Sequence, residues 1–505
     1  MKPNILLVTT DQQRTDSLSC YGTDFTHTPH LDRLATEGVR FDRAYCTNPV
    51  CTPSRVSIFT GRHVSRHGAW NIGVHLPESE RTIGDHLQTA GYRTHYVGKA
   101  HFQSYGALPA VSAESCVDFA MGQKPRNDRY PAWRGPYYGF ETVELALGHT
   151  TFGFFAGHHA EWARSQGASM EFAATQRSER YFGGGAIDWD IPLRFHNSVW
   201  TADRTIEFLK QHDQSQPFLL AVGFQDPHHP HCVPLEFKDR VDPGRVPLPD
   251  YNEGELDDKP PHFRVAHCGQ LEDSPWRGKY WVAGQGGGAD YRTVTETDAR
   301  LGRAYYYTMV KLIDQQMGRI LATLDQLGLR DNTLVIFTTD HGELLGDHGL
   351  WMKGPFHYEP LVRVPLLMRW PGEFAGGRQD ATVFSLVHLA PTILAAAGIA
   401  PTEMDGRDAV PLLRGETPWA DADALVECID DPGTLRLKTL VTATRKLTWY
   451  QGHDFGELYD LETDPHERVN RWDDPQYARD RAQLLSRLLA KTETLERRAP
   501  RHCYA

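Results

Sequence analysis

The sequence predicts an α/β fold: a large, mostly parallel sheet sandwiched by helices, followed by a smaller C-terminal α+β subdomain. Three observations point there. Apolar runs such as Asn4 to Thr10, Phe218 to Phe224 and Thr333 to Thr339 are almost continuous, as strands buried on both faces must be. Stretches of helical periodicity separate them. Asp, Lys and His residues follow directly on the carboxyl ends of the runs, the edge at which open α/β sheets bind ligands.

Asn4 to Thr10 is the first strand, and Asp11 and Gln12 follow it. Thr28 is the expected N-cap of a helix that opens at Pro29 and stops at Gly38. Residues 51–61 read as the start of a short helix, with Pro53 suited to its first position, Val56 and Phe59 on one buried face, and Gly61 as the stop. Cys51 is expected just ahead of that helix's N-terminus, where free N–H groups favour an anion. Thr82 to Ala90 is a helix ended by Gly91, and Tyr92 to Val97 is a strand leading into Gly98-Lys99-Ala100-His101. Residues 104–197 are rich in Gly, Pro and aromatics and read as an irregular insertion over the sheet, with helix near 158–168. Val199 to Gln211 is an amphipathic helix. Phe218 to Phe224 is a core strand ending in Gln225-Asp226-Pro227-His228-His229-Pro230. A second irregular insertion covers 231–297. Ala299 to Leu327 is helical, Thr333 to Thr339 is a strand ending in Asp340-His341-Gly342, and Pro365 to Trp370 is a fifth strand. Residues 1–415 are read as the catalytic domain. The subdomain, 416–505, is expected from the short strands Leu437 to Thr442 and Lys446 to Tyr450 and a helix from Gln476 to Arg497.

The 505 residues carry 53 Lys and Arg against 65 Asp and Glu, a formal charge of −12. No long basic run is present, which argues against nucleic acid or an anionic membrane as partner. An anionic substrate must therefore be attracted locally, against the net field. No apolar run is long enough to span a bilayer, and Met1-Lys2-Pro3-Asn4 does not read as a signal peptide. The eight cysteines include no CxxC pair, so they form neither a disulfide framework nor a zinc site. Free thiols and a cytoplasmic location are expected.

Asp11, Gln12, Asp340 and His341 form a candidate divalent-metal set of two carboxylates, an amide oxygen and an imidazole. The imidazole favours Mn²⁺, with Ca²⁺ next. Lys99, Lys353 and Arg55 are candidate anion clamps. His101 and His228 are candidates for proton transfer. His229 and His231 read as structural or rim residues, and Asp347-His348 as a possible support to the site. Asn71 is a candidate substrate contact. The aromatic run Trp276 to Trp281 is a candidate pocket wall, and the tail from Arg497 to Ala505 a candidate docking segment in a homo-oligomer. Cys51 by itself reads as a thiol nucleophile.

Together these residues resemble the sulfatase family of the alkaline-phosphatase-like superfamily. Cys51-x-Pro53-x-Arg55 with Thr60-Gly61-Arg62, Gly98-Lys99-x-His101, Pro227-His228-x-Pro230, Asp340-His341-Gly342, Lys353 and Glu457-Leu458-Tyr459-Asp460-Leu461-x-x-Asp464-Pro465 carry the resemblance over most of the chain. It implies that a formylglycine-generating enzyme oxidises Cys51 to formylglycine. One hydroxyl of the aldehyde hydrate then attacks the sulfur of a small-molecule sulfate ester, releasing an alcohol or phenol. The second, with help from His101, expels sulfate. Lys99, Lys353 and His228 would bind the ester, His228 would serve the leaving oxygen, and Arg55 would orient the modified side chain. Position 51 would join the metal shell. Many sulfatases carry Asp-Asp and Asp-Asn where this chain has Asp11-Gln12 and Asp340-His341. That pattern is also similar to phosphonate monoester hydrolases, phosphodiesterases and choline sulfatases of the superfamily. Phosphodiester or phosphonate hydrolysis is therefore the alternative activity, and non-catalytic binding of a sulfated ligand a third.

Overall fold

A computed structural model describes residues 2–104, 113–114, 117–118, 124–125, 132–154, 156–173, 185–268, 290–416, 418–430 and 435–495. The aromatic run 276–281 and the tail 497–505 lie outside the described residues.

The strands of the main sheet are β1 (Asn4–Thr10), β2 (Val39–Tyr45), β3 (Arg93–Gly98), β4 (Thr142–Leu145), β5 (Phe218–Gly223), β6 (Thr333–Thr339), β7 (Arg363–Arg369), β8 (Arg378–Asp380) and β9 (Phe384–Ser385). Their order is β8-β2-β7-β6-β1-β5-β3-β4, with β9 also paired to β2. From β6 to β4 every pairing is parallel. The expected fifth strand, β7, runs antiparallel to both neighbours. An apolar run reads the same in either direction, so its orientation was not legible. Four strands of this sheet were not expected: β2, β4, β8 and β9. In β2, Val39-Arg40-Phe41-Asp42 alternates in the way of a half-buried strand. In β4, four residues of the first insertion extend the sheet instead of lying over it.

Alternation along the central strands builds two cores. Ile5, Leu7, Leu219, Ala221, Leu334 and Ile336 face one layer. Leu6, Val8, Leu220, Val222, Val335 and Phe337 face the other. The helices α1 (Pro29–Thr36), α4 (Asn197–Gln211) and α5 (Glu296–Gln326) cover the second face. The first is covered by α2 (Cys51–Thr60), α3 (Ile83–Thr89) and α6 (Leu389–Ala396). Thr295 and Asp298 form a capping box that starts α5.

The C-terminal subdomain is a four-stranded antiparallel sheet, β10 (Ala424–Ile429), β11 (Arg436–Val441), β12 (Arg445–Tyr450) and β13 (Gly456–Asp460). The helix α7 (Ala478–Thr494) packs Leu484 and Leu488 on Leu425, Leu440, Leu447 and Leu458. No described helix is long and apolar enough to cross a membrane.

Candidate active site

The sheet brings the ends of β1, β2, β3, β4, β5 and β6 to one edge, and each delivers polar side chains there. β2 leads into α2, whose ten residues are all buried. Cys51 is the first residue of α2 and does not precede it, and Gly61 closes the helix at φ 65°. Because α2 is buried all round, it forms a rigid mount and shows little amphipathic pattern.

Arg55, one turn along α2, is fully buried and holds three strand ends together. Its Nε donates to Asp340 Oδ2 at 2.8 Å, Nη1 to the Lys99 carbonyl at 2.9 Å, and Nη2 to the Thr10 carbonyl at 3.1 Å. Its charge also lies 3.7 Å from Asp11. Around Cys51 Sγ stand Lys353 Nζ at 3.0 Å, His341 Nε2 at 3.4 Å and Asp11 Oδ1 at 3.6 Å. Lys99 Nζ donates to Asp11 Oδ2. Burial favours a neutral Asp11, but Lys99, Arg55 and Lys353 overcome it and hold the carboxyl well below its usual range. Burial and then Asp11 push the Cys51 thiol up. Burial works against the Lys353 charge, yet Cys51, Asp11 and Asp340 raise it.

Ligand atoms of Asp11, Cys51, Asp340 and His341 lie within 4.8 Å of one another, and all four residues are buried. The group can hold a metal ion. His341 Nδ1 donates to the Gly342 carbonyl at 2.9 Å, which leaves the Nε2 lone pair facing the cluster. Gln12 fits as a further oxygen donor. Its backbone takes the left-handed conformation, φ 65°, and its N–H donates to Asp340 Oδ1 at 3.0 Å. Its amide NH₂ is spent on Glu343 and on His229 Nδ1, while the buried Oε1 meets no hydrogen-bond donor among the described residues. An orphaned acceptor is what a missing cation would leave.

His228 follows β5. Its Nδ1 meets the His229 carbonyl, and its Nε2 lies 3.0 Å from Lys353 Nζ. His101 follows β3 with φ 58°, and its N–H donates to Glu114 at 2.8 Å. Burial, then neighbouring cationic groups, hold His101 and His228 well below the usual histidine pKa. Among the described residues, no hydrogen bond ties Asn71 to this cluster. Its amide donates to the Ile429 and Asp430 carbonyls at 3.2 and 2.9 Å and accepts from Ile72 N–H at 2.8 Å. Those contacts tie a loop to the C-terminal subdomain and occupy the group expected to meet substrate.

Four residues at the site were not singled out as functional from sequence. His149, beyond β4, lies 3.1 Å from Lys99 Nζ. Glu343 and His229, the latter read as structural or rim, orient the Gln12 amide. Glu114 accepts from the N–H groups of His101, Phe102 and Gln103. His229 and Glu343 flank recognised residues, and that adjacency was the available signal. His149 and Glu114 sit in the irregular stretch, where spacing carries none.

A buried edge of two carboxylates and an imidazole, ringed by lysines and arginine, defines a hydrolase of anionic esters. Residues 3–399 match the sulfatase family, and the chain belongs to it. Residues 346–494 match the C-terminal part of N-sulphoglucosamine sulphohydrolase. An arylsulfatase of Clostridium perfringens is 28% identical over 97% of this chain and 94% of its own, so the likeness includes the subdomain. A choline-sulfatase of Rhizobium meliloti is 27% identical over 96% of this chain and 85% of its own. The phosphonate monoester hydrolase structure of Agrobacterium radiobacter has a TM-score of 0.78 at 24% identity, covering 98% of this chain and 96% of that one, a likeness of fold. The family membership and these relatives make the protein a sulfuric ester hydrolase.

Proposed function

We propose that the protein hydrolyses sulfate monoesters of the aryl, alkyl or sugar type with a nucleophile derived from Cys51. The convergence of Lys353, His341 and Asp11 on the buried Cys51 Sγ carries the reading. Formylglycine, formed from Cys51 by a separate maturation enzyme, supplies a hydrated aldehyde as nucleophile, and a divalent ion supplies Lewis acidity. Asp11, Gln12, Asp340, His341 and position 51 would hold the ion. The mixed oxygen and nitrogen set favours Mn²⁺ over Ca²⁺.

Arg55 fixes Asp340 and the ends of β1 and β3 in one arrangement. Lys99 and Lys353 face the ester's anionic oxygens and stabilise charge as it develops. The Lys353–His228 pair delivers a proton to the leaving oxygen. His101 takes up the proton whose loss frees sulfate. The described cysteines are unpaired, in keeping with action in the cytoplasm.

Mass analysis of the Cys51 peptide with aldehyde trapping tests the nucleophile: unmodified cysteine in protein from its native cell overturns it. Matched sulfate monoesters, phosphate diesters and phosphonate monoesters test the substrate class. Sulfate esters are expected to be the best of the three. If they prove orders of magnitude the poorest, phosphonate or phosphodiester hydrolysis replaces this reading. Chelation is expected to abolish turnover, and Mn²⁺ to restore it better than Ca²⁺. Ligand binding that survives metal removal on an unmodified thiol supports a non-catalytic binder instead.

A further inference from the structure

We propose that His149 is a positioning residue for sulfate ester cleavage: its ring face sets the attitude of His228 and its ring edge aims Lys99. The inference rests on the sulfate-ester reading above. The His149 and His228 rings lie parallel, with centroids 3.4 Å apart and 1° between their planes. His228 is held at its rim by the His229 carbonyl and by Lys353 Nζ. Two rim contacts fix a ring along the line between them and leave it free to tilt about that line. A flat neighbour at stacking distance removes the tilt. His229, on a different plane, lies 4.0 Å away at 30° and does not duplicate this contact.

The edge of His149 acts on a second residue. Lys99 Nζ lies 3.1 Å from its Nδ1. An ammonium only donates, so Nδ1 accepts and Nε2 carries the ring hydrogen. Lys99 is thereby directed by His149 on one side and Asp11 on the other. The fold also registers His149 against His228. Gln225, at the end of β5, donates its amide to the Leu147 and Gly148 carbonyls at 2.9 and 2.7 Å. The loop that presents His149 is therefore tied to the strand end that presents His228.

The consequence is chemical. As the S–O bond breaks, its electron pair stays on the leaving oxygen, and the proton that the Lys353 ammonium hands on through His228 Nε2 must arrive along that oxygen's lone pair. A tilted His228 fails most where the leaving oxygen is most basic. Misplacement of about 1 Å can cost about 10²-fold.

The test compares kcat/KM for 4-nitrophenyl sulfate, whose leaving group is acidic, with phenyl sulfate, whose leaving group is more basic. His149→Ala is expected to lose about 10-fold more on phenyl sulfate than on 4-nitrophenyl sulfate. His149→Phe keeps a flat face and is expected to close most of that gap while both esters stay slower, because the Lys99 acceptor is gone. Equal losses on the two esters, no loss, or a gap in His149→Phe as wide as in His149→Ala would overturn the inference. The wild-type enzyme keeps the two readings apart. A wild type that cleaves neither these esters nor an alkyl or sugar sulfate defeats the sulfate reading together with the inference. A wild type that cleaves both, beside an alanine variant with parallel losses, defeats the inference alone.

Discussion

Arg55 has no solvent exposure and joins α2 to three strand ends through separate nitrogens. Arg55→Ala would leave Asp340 buried without its paired cation, while Asp11 keeps Lys99. Breaking a buried pair in this way costs about 3–5 kcal/mol. Arg55→Lys should recover only part, because one ammonium cannot reproduce a planar fork. Denaturant midpoints of both variants check this, and unchanged stability in Arg55→Ala would refute it. Lys353 carries a different burden. Its Nζ reaches Cys51 Sγ, His228 and His341, so removing it strips charge from the reacting centre itself. Lys353→Ala is expected to lower kcat about 10²–10³-fold, as loss of one transition-state donor does. Steady-state kinetics on folded protein decide it.

At the scale of elements, the site depends on how closely strand ends approach. Gly98 ends β3 at φ 91°, and a Cβ there would lie 2.1 Å from the Gly223 carbonyl oxygen. A Cβ on Gly223 would lie 2.1 Å from the Lys99 carbonyl oxygen. Both contacts are with backbone, which cannot rotate away. Gly98→Ala should therefore cost about 1–3 kcal/mol and move Lys99. A melting curve and kcat measured together should both fall. The loop from Gly342 to Lys353 has left-handed residues at Leu345, His348 and Met352, and Asp347 pins it. Asp347 accepts from Arg14 and Arg303 at 2.7 and 2.9 Å and from Asp250 N–H at 2.8 Å. Burial would raise the Asp347 pKa, but Arg14 and Arg303 outweigh it and hold the group well below an ordinary aspartate. A carboxyl depressed in the folded state adds stability above its unfolded pKa, about 4, and that stability fades as pH falls from there towards the folded value. Asp347→Asn should remove this component, so its stability should fall less steeply than wild type below about pH 4. Parallel acid slopes would show that Asp347 does not pin the loop electrostatically.

Across the whole molecule, the subdomain is fastened to the catalytic sheet by a buried charge group. Lys446, on β12, is fully buried and pairs with Glu359, just before β7, at 2.9 Å and with Glu467. Glu467 also accepts from Glu359 N–H at 2.6 Å. Lys446→Met would leave Glu467 facing Glu359, with only Arg363 still paired to Glu359 at 3.4 Å, at a cost of about 3–5 kcal/mol. Calorimetry should show a lower transition, and hydrogen exchange should rise over β10 to β13. Unchanged exchange there would show that apolar packing alone holds the subdomain.

Asp11, Lys99, His101, His228, Asp340 and His341 were legible because each lies within a few residues of a strand's carboxyl end, and both strand period and strand end are written in neighbouring residues. The α/β alternation and the Cys51 motif were legible for the same reason. The direction of β7 was not, because an apolar run has no polarity of its own. The edge strand β4 was hidden in a stretch without period, and with it His149. Asn71 looked available until the backbone of Ile429 and Asp430 claimed its amide. By itself, then, the sequence determined the order of the central strands and main helices, the motif and the side chains standing at strand ends, since those depend on local chemistry. Tertiary structure alone decided strand direction, the stacked His149–His228 pair and the carbonyl partners of Asn71, because each depends on segments far apart in the chain meeting in space.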